Sequence, residues 1–253
     1  MKNILLFVNG TLGLKAIKFL TLQPDIRITG VVVNSSEKRS SDYTSDLLEL
    51  SPKLRLFEYS ENLWNQSEFQ TVLSESNLAT SALFGHIIPS EVIAVLKSNI
   101  VNLHPSLLPL GRGADPIAWA IIENRRQGVS IHVMEDKLDS GPIISQSELT
   151  VTLGMTAGEI YELAMDELLK LFKAFILCWP TKVQSNPQQG EYSYHQSAEL
   201  QALRKELTQG SVEVEHALRL IQALTFTDKR TARVRFSNGE LWEVSLLMNK
   251  VQD

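Results

Sequence analysis

An open α/β sheet with helices on both faces, followed by a small C-terminal helix-plus-β-hairpin module, is the architecture this sequence predicts. Three observations predict it. Short apolar, β-rich runs alternate with stretches of helical pattern from Met1 to about Leu103. A polar stretch containing Pro187, Gly190 and paired glutamines follows Pro180 and reads as a linker. Beyond it, Asn238-Gly239 lies between two apolar runs, a strong hairpin signal.

Residues 4–8 read as a buried first strand, and Asn9-Gly10-Thr11-Leu12-Gly13 turns the chain into a helix through about Leu22. Residues 26–33 form a second strand, and the aperiodic polar stretch 34–45 predicts a mobile loop. Strands are expected at 54–59, 79–83 and 100–103, with helices at 62–76 and from Ser90, as a cap, to about Ser98. Parallel sheets of this kind bind ligands outside the carboxyl ends of their strands. A Pro/Gly-rich loop, 105–114, then leads to Asp115-Pro116, an N-cap with proline at the first helical position, and a helix to about Glu123. Strands follow at 129–133 and 143–149, separated by a loop at 135–142. Thr156 with Glu159 makes a capping box for a long helix ending near Cys178. The catalytic part is therefore expected over 1–180, with linker and module over 181–253: a helix at 212–224 and a hairpin of 232–236 with 241–247.

The bulk composition narrows the function. With 253 residues and 43% of them hydrophobic, the chain can bury a sizeable core. A net charge of −5 argues against broad adhesion to nucleic acid, which needs Lys and Arg to displace counterions. The first apolar run is too short to span a membrane and carries no signal-cleavage pattern. The single cysteine, Cys178, excludes an intrachain disulfide and fits the cytoplasm. No Cys/His/Asp cluster has metal-ligand spacing, so no metal is expected.

Chemistry concentrates where the fifth strand leaves the sheet. Asn102 and His104 stand two apart on an extended segment, so their side chains share a face. His104 can act as general acid or base near neutral pH, and Asn102 can donate to an oxygen gaining negative charge. Asp139, just before another strand, can orient the imidazole or hold a proton-relaying water; as a lone residue before Gly141-Pro142 it can equally close a turn. His132, inside an alternating strand, reads as a buried supporting histidine, and His86 either contacts a ligand or caps its turn. His195 and His216 read as structural or surface residues.

Four ordered blocks sharpen this reading: Asn102-Leu103-His104-Pro105-Ser106-Leu107-Leu108-Pro109, Gly111-Arg112-Gly113, Gly128-Val129-Ser130-Ile131-His132, and Leu138-Asp139-Ser140-Gly141-Pro142. Together they resemble the N10-formyltetrahydrofolate-dependent formyltransferase family. The resemblance implies a Rossmann-like catalytic domain, with Asn102, His104 and Asp139 as the catalytic trio. It also implies N10-formyltetrahydrofolate as co-substrate, held by Phe84, Gly85, His86, Ile87 and Ile88 and by Glu135, Asp136, Lys137 and Leu138. An apolar slot with backbone donors and acceptors suits a flat pterin.

The acceptor amine is indicated by weaker signals. The first turn, the stretch Gly111-Arg112-Gly113-Ala114-Asp115-Pro116-Ile117-Ala118-Trp119 and the tail Glu191-Tyr192-Ser193-Tyr194-His195 are similar to the nucleotide-linked sugar N-formyltransferases. That implies a dTDP-linked amino-deoxysugar as acceptor, a place in lipopolysaccharide biosynthesis, and substrate contacts from Asn9, Gly10, Thr11, Arg112, Gly113 and Asp115. Arg112 can meet a phosphate or sugar edge through its planar fork, or stand as an exposed loop arginine. The first turn lacks the full dinucleotide glycine pattern, so NAD is not expected. Asp115 stands where relatives commonly carry Asn. The apolar hairpin residues Val234, Phe236, Leu241, Trp242, Val244, Leu246 and Leu247 suggest a homodimer interface. The rival readings are a methionyl-tRNA or glycinamide-ribonucleotide formyltransferase and, outside enzymes, a folate- or nucleotide-binding module.

Overall fold

The computed structural model describes residues 1–39, 43–50, 52, 54–97, 99–180, 184–205, 213–226, 231–236, 238–244 and 246. By internal contacts the chain forms two compact units. The first comprises Met1–His104, Ser130–Gln146 and Asp166–Gln188, and the second Pro105–Val129, Ser147–Met165 and Gln189–Asp253.

In chain order, β1 (Lys2–Val8), α1 (Gly10–Thr21), β2 (Ile26–Val33), α2 (Thr44–Leu50), β3 (Leu56–Glu58), α3 (Ser67–Glu75), β4 (Leu78–Ala82), α4 (Ser90–Val95) and β5 (Ile100–His104) build the first half of the alternation. β6 (Arg112–Gly113), α5 (Pro116–Ile122), β7 (Gly128–Val133), β8 (Ile143–Glu148) and α6 (Ala157–Cys178) follow. β9 (Tyr194–His195), α7 (Ser197–Lys205), α8 (Val214–Leu224), β10 (Ala232–Arg235) and β11 (Leu241–Val244) complete it. The main sheet has seven strands in the order β3-β2-β1-β4-β5-β7-β8.

The apolar runs explain the centre of this sheet. Ile4 to Val8 and Val31 to Val33 are fully buried, as strands covered on both faces must be. In the first unit, Leu5, Phe7, Phe57, Phe69, Val72, Val92 and Ile100 belong to one core cluster. Strands β1 to β5 pair in parallel, as their alternation with helices predicts, and β7, beyond that alternation, runs antiparallel to β5. β7 enters opposite the end of β5, with Ser130 facing His104, and so runs back along it. The consequence for chemistry is direct, because the register sets Asn102 opposite His132.

Several local expectations are corrected. The polar stretch 34–45 holds a 3-10 turn at Ser36–Lys38 and the start of α2, while residues 40–42 lie outside the described residues. The helix expected over 62–76 is a 3-10 turn, Leu63–Asn65, followed by α3. Ser90 is the first helical residue and Pro89 holds the cap position. Asp115 occupies the N-cap position of α5 but makes no side-chain cap, because it is left-handed (φ 51°) rather than extended. The hairpin's second strand ends at Val244; Ser245 and Leu247, like Val212 before α8, lie outside the described residues. The capping box of α6 forms: Glu159 Oε2 accepts from Thr156 N at 2.7 Å, and Glu159 N donates to Thr156 Oγ1 at 3.3 Å.

The second unit has its own core, in which Ala118 and Trp119 of α5 pack with Leu200 of α7, Ala223 and Leu224 of α8, and Ala232 of β10. α7 went unread because it is short and its apolar residues Ala198, Leu200, Ala202 and Leu203 are interspersed with Ser, Glu, Gln, Arg and Lys. Among the described residues no helix is long and apolar enough to cross a membrane.

Candidate active site

β5 places Asn102 and His104 on one face, and β7 supplies His132 beside Asn102 across the strand pair. The loop after β7 brings in Asp139. Its carboxylate reaches three partners: Oδ1 lies 3.4 Å from Asn102 Nδ2 and 3.5 Å from His132 Nε2, and Oδ2 lies 3.8 Å from His104 Nδ1. The last distance allows an electrostatic pair but exceeds a direct hydrogen bond. His104, His132 and Asp139 are all buried. The two imidazoles meet edge to face with centroids 6.1 Å apart.

The tautomer of His132 follows from its neighbours. Its Nδ1 lies 2.8 Å from the carbonyl of Val133, which can only accept, so the proton sits on Nδ1. Nε2 lies 3.3 Å from Asn102 Nδ2 and 3.5 Å from Asp139 Oδ1. The amide of Asn102 is thereby oriented by one group on the neighbouring strand β7 and one on the loop after it.

Asp139 itself sits in an unusual backbone state, with φ 51°. A non-glycine residue holds that conformation only where its surroundings over-determine it. Here Gln188 does so: its Nε2 donates to the carbonyls of Asp139 and Gly141, both at 2.8 Å. Gly141 completes the turn, since a Cβ there would lie 2.0 Å from the Val133 carbonyl. The linker reading of residues 181–194 missed Gln188 entirely; no local sequence signal marks it.

The segment expected to hold folate divides. Ile88 is buried in the first unit's core, whereas Ile87 is 81% exposed. The two therefore do not form one slot, because adjacent residues of extended chain point opposite ways. Leu138, in the exposed loop 135–138 with Glu135, Asp136 and Lys137, is 48% exposed. Exposed Ile87 and Leu138 are the apolar surfaces these segments can offer a flat ligand. Phe84 and His86 instead join an aromatic cluster: His86 stacks on Tyr59 with centroids 3.6 Å apart, and Phe84 lies 5.4 Å from Phe7. His86 Nε2 also faces Ser35 Oγ at 3.2 Å. Burial, and secondly the Lys38 ammonium, hold its imidazole below the usual value. Gly85 is tied down by Asn34, whose Oδ1 accepts from Gly85 N at 3.0 Å, and by Lys38, which donates to the Gly85 carbonyl.

Asn9 stands at the N-terminus of α1 without capping it, and Thr11 is exposed. Tyr43 secures this turn by donating to the Val8 carbonyl at 2.8 Å. Burial pushes its phenol up to about 12, so it remains a donor. Arg112, Gly113 and Asp115 belong to the second unit. Arg112 is buried, not an exposed loop arginine, and its guanidinium lies over the ring of Tyr192. Among the described residues no group of three or more His, Cys, Asp or Glu could hold a metal ion.

A family model described as formyl transferase matches residues 2–174. The chain belongs to the formyl transferase family. A methionyl-tRNA formyltransferase from Bacillus cytotoxicus is 38% identical over 99 residues, which are 38% of this chain and 32% of that protein. The chain thus matches only 32% of the length of that relative. A 4-N formyltransferase from Francisella tularensis shares the fold with a TM-score of 0.83 at 20% identity, covering 99% of both chains. An N-formyltransferase from Helicobacter canadensis, solved with folinic acid and dTDP-3-aminofucose, gives 0.69 at 18% identity, covering 90% of this chain and 82% of that one. At such identities the likeness is one of fold, and it extends through the C-terminal module.

Proposed function

We propose that this protein transfers a formyl group from N10-formyltetrahydrofolate to the amino group of a nucleotide-linked, dTDP-type amino-deoxysugar. The observation that carries the chemistry is the buried cluster in which Asp139 meets Asn102, His104 and His132. The acceptor reading is supported by the fold likeness to the Helicobacter canadensis N-formyltransferase solved with folinic acid and dTDP-3-aminofucose.

The folate donor supplies the formyl carbon and leaves as tetrahydrofolate. The acceptor nitrogen forms a bond to that carbon and loses one proton, which His104 accepts. The carbon–nitrogen bond to the donor breaks, and His104 returns the proton to the departing nitrogen, so protons balance over the turnover. General acid–base help of this kind is worth about 10²–10⁴ in rate. Asn102 donates to the formyl oxygen as it gains negative charge, an effect of about 3–4 kcal/mol in comparable sites. To do so it must turn its Nδ2 from His132 and Asp139, whose contacts at 3.3 and 3.4 Å are long enough to exchange readily. Asp139 stabilises the charged imidazole of His104 from 3.8 Å. The exposed side chains of Ile87 and Leu138 fit a role in holding the pterin.

In this reading residues 1–180 carry the chemistry, and 181–253 serve as linker and dimerising module. Phe236, Leu241 and Trp242 are exposed on the β10–β11 hairpin, which supports a homodimer, testable by light scattering of the purified protein. The single cysteine supports a cytoplasmic location. Methionyl-tRNA is the second reading, favoured by the 38% identity over 99 residues and opposed by the net charge of −5. Turnover with N10-formyltetrahydrofolate across dTDP- and UDP-linked amino sugars, with methionyl-tRNA and glycinamide ribonucleotide alongside, decides between them. Formylation of the tRNA alone would overturn the sugar reading.

A further inference from the structure

The stretch after α6 reads as linker, and over residues 184–190 every residue but one is exposed. The exception is Gln188, which is half-buried. The order Asn186-Pro187-Gln188 explains how it comes to be placed. Proline confines the residue before it to extended backbone, and Asn186 pairs with Ile143 as a single antiparallel bridge. Asn186 N donates to the Ile143 carbonyl and Ile143 N to the Asn186 carbonyl, both at 2.8 Å.

The bridge fixes the segment against the first residue of β8, two residues beyond Gly141. From there Gln188 reaches back over the turn that carries Asp139. Its Nε2 donates to the carbonyls of Asp139 and Gly141, both at 2.8 Å. A side-chain amide nitrogen has two N–H groups, so it can make both bonds at once. The turn is closed on its other side by Val133 N, which donates to the Pro142 carbonyl at 2.9 Å. All of these residues belong to the first unit.

The turn decides where a negative charge is directed. Asp139 Oδ1 lies 3.4 Å from Asn102 Nδ2, and Oδ2 lies 3.8 Å from His104 Nδ1. Both separations are long, so a small rotation of the turn would favour one partner and lose the other. The left-handed backbone of Asp139 adds to this, since it is a state that relaxes when its support is removed.

We propose that Gln188 is a positioning residue for the proton chemistry: by clamping the carbonyls of Asp139 and Gly141 it keeps one carboxylate directed at both the proposed oxyanion donor and the proposed base. Its effect on turnover passes through Asp139. The proposal rests on the roles assigned above to Asn102, His104 and Asp139, and it does not depend on which amine is the acceptor.

The test is a double-mutant cycle in the full-length protein, with Gln188→Met, Asp139→Asn and the two combined. Kinetics use N10-formyltetrahydrofolate with the fastest acceptor among dTDP- and UDP-linked amino sugars, methionyl-tRNA and glycinamide ribonucleotide. Methionine keeps the length of the side chain and removes the donor. Gln188→Met should lower kcat by about tenfold and leave both KM values and a cooperative melt in place. In the Asp139→Asn background the same change should cost less than about twofold, because the charge it positions is gone. The imidazole proton NMR signals of His104 and His132, read without substrate, should move in Gln188→Met in the direction they take in Asp139→Asn. Gln188→Glu, of the same shape but with a carboxylate facing two carbonyls, should lose at least as much, and it carries the test if Gln188→Met does not fold. Wild-type kcat in Gln188→Met, or an equal loss in the Asp139→Asn background, overturns the proposal while the catalytic reading stands. Unmoved imidazole signals in Gln188→Met overturn it as well, whether or not an acceptor turns over. Wild-type turnover in Asp139→Asn overturns the catalytic reading and the proposal with it.

Discussion

The carboxylate of Asp139 lies closer to the amide of Asn102, at 3.4 Å, than to the imidazole of His104, at 3.8 Å. The acid is thus shared between the proposed oxyanion donor and the proposed base instead of serving the histidine alone. Its charge should matter to both. Asp139→Asn and His104→Asn are expected to lower kcat by about 10²–10⁴ while a cooperative melt persists. Wild-type turnover in either variant would remove that residue from the chemistry.

Gln188 should prove more important than its place in a polar stretch suggests. It holds the carbonyls of Asp139 and Gly141, and Asp139 has a left-handed backbone that needs such support. Gln188→Ala leaves both carbonyls without that donor, at a local cost of about 1–3 kcal/mol. The expected outcome is a fall in kcat with little change in either KM, measured in single turnovers.

Gly113→Ala tests the pairing of the Arg112 loop with residues 193–195. The added methyl meets the His195 carbonyl and the left-handed backbone is unfavourable for alanine, a combined cost of about 1–3 kcal/mol or more. A lower thermal midpoint is expected together with a raised KM for the acceptor. An unaffected midpoint would mean that the ladder contributes nothing to stability.

His86 gives a pH dependence whose sign is fixed by its environment. Burial and Lys38 hold the folded imidazole below its ordinary 6.5. Between the two values the unfolded chain binds more protons than the folded one. This contribution to stability is therefore complete above 6.5 and lost as pH falls through the folded value. Thermal midpoints measured from about pH 8 down to pH 5 should fall more steeply in the wild type than in His86→Gln. Parallel slopes would show that His86 is not the group responsible.

Much of the site was legible because it is written locally. Asn102 and His104 share a face through the two-residue period of β5, and Thr156 with Glu159 announces the start of α6 in four residues. α2 and α7 were not legible: each is short, and its buried side is completed only by packing, as Leu47 and Leu200 show. Asp115 misled because residue type favours a cap, while the left-handed backbone that decides the matter is set by its surroundings.

The sequence by itself determined the alternation of strands and helices, the family, and the face shared by Asn102 and His104. Those follow from periodicity and short motifs, which act over a few residues. Only the tertiary structure decided that β7 runs antiparallel, setting His132 beside Asn102, that Gln188 braces Asp139, and that Tyr192 lies against Arg112. Each of these joins residues far apart in the chain, and strand register and loop closure, which carry no local signature, bring them together.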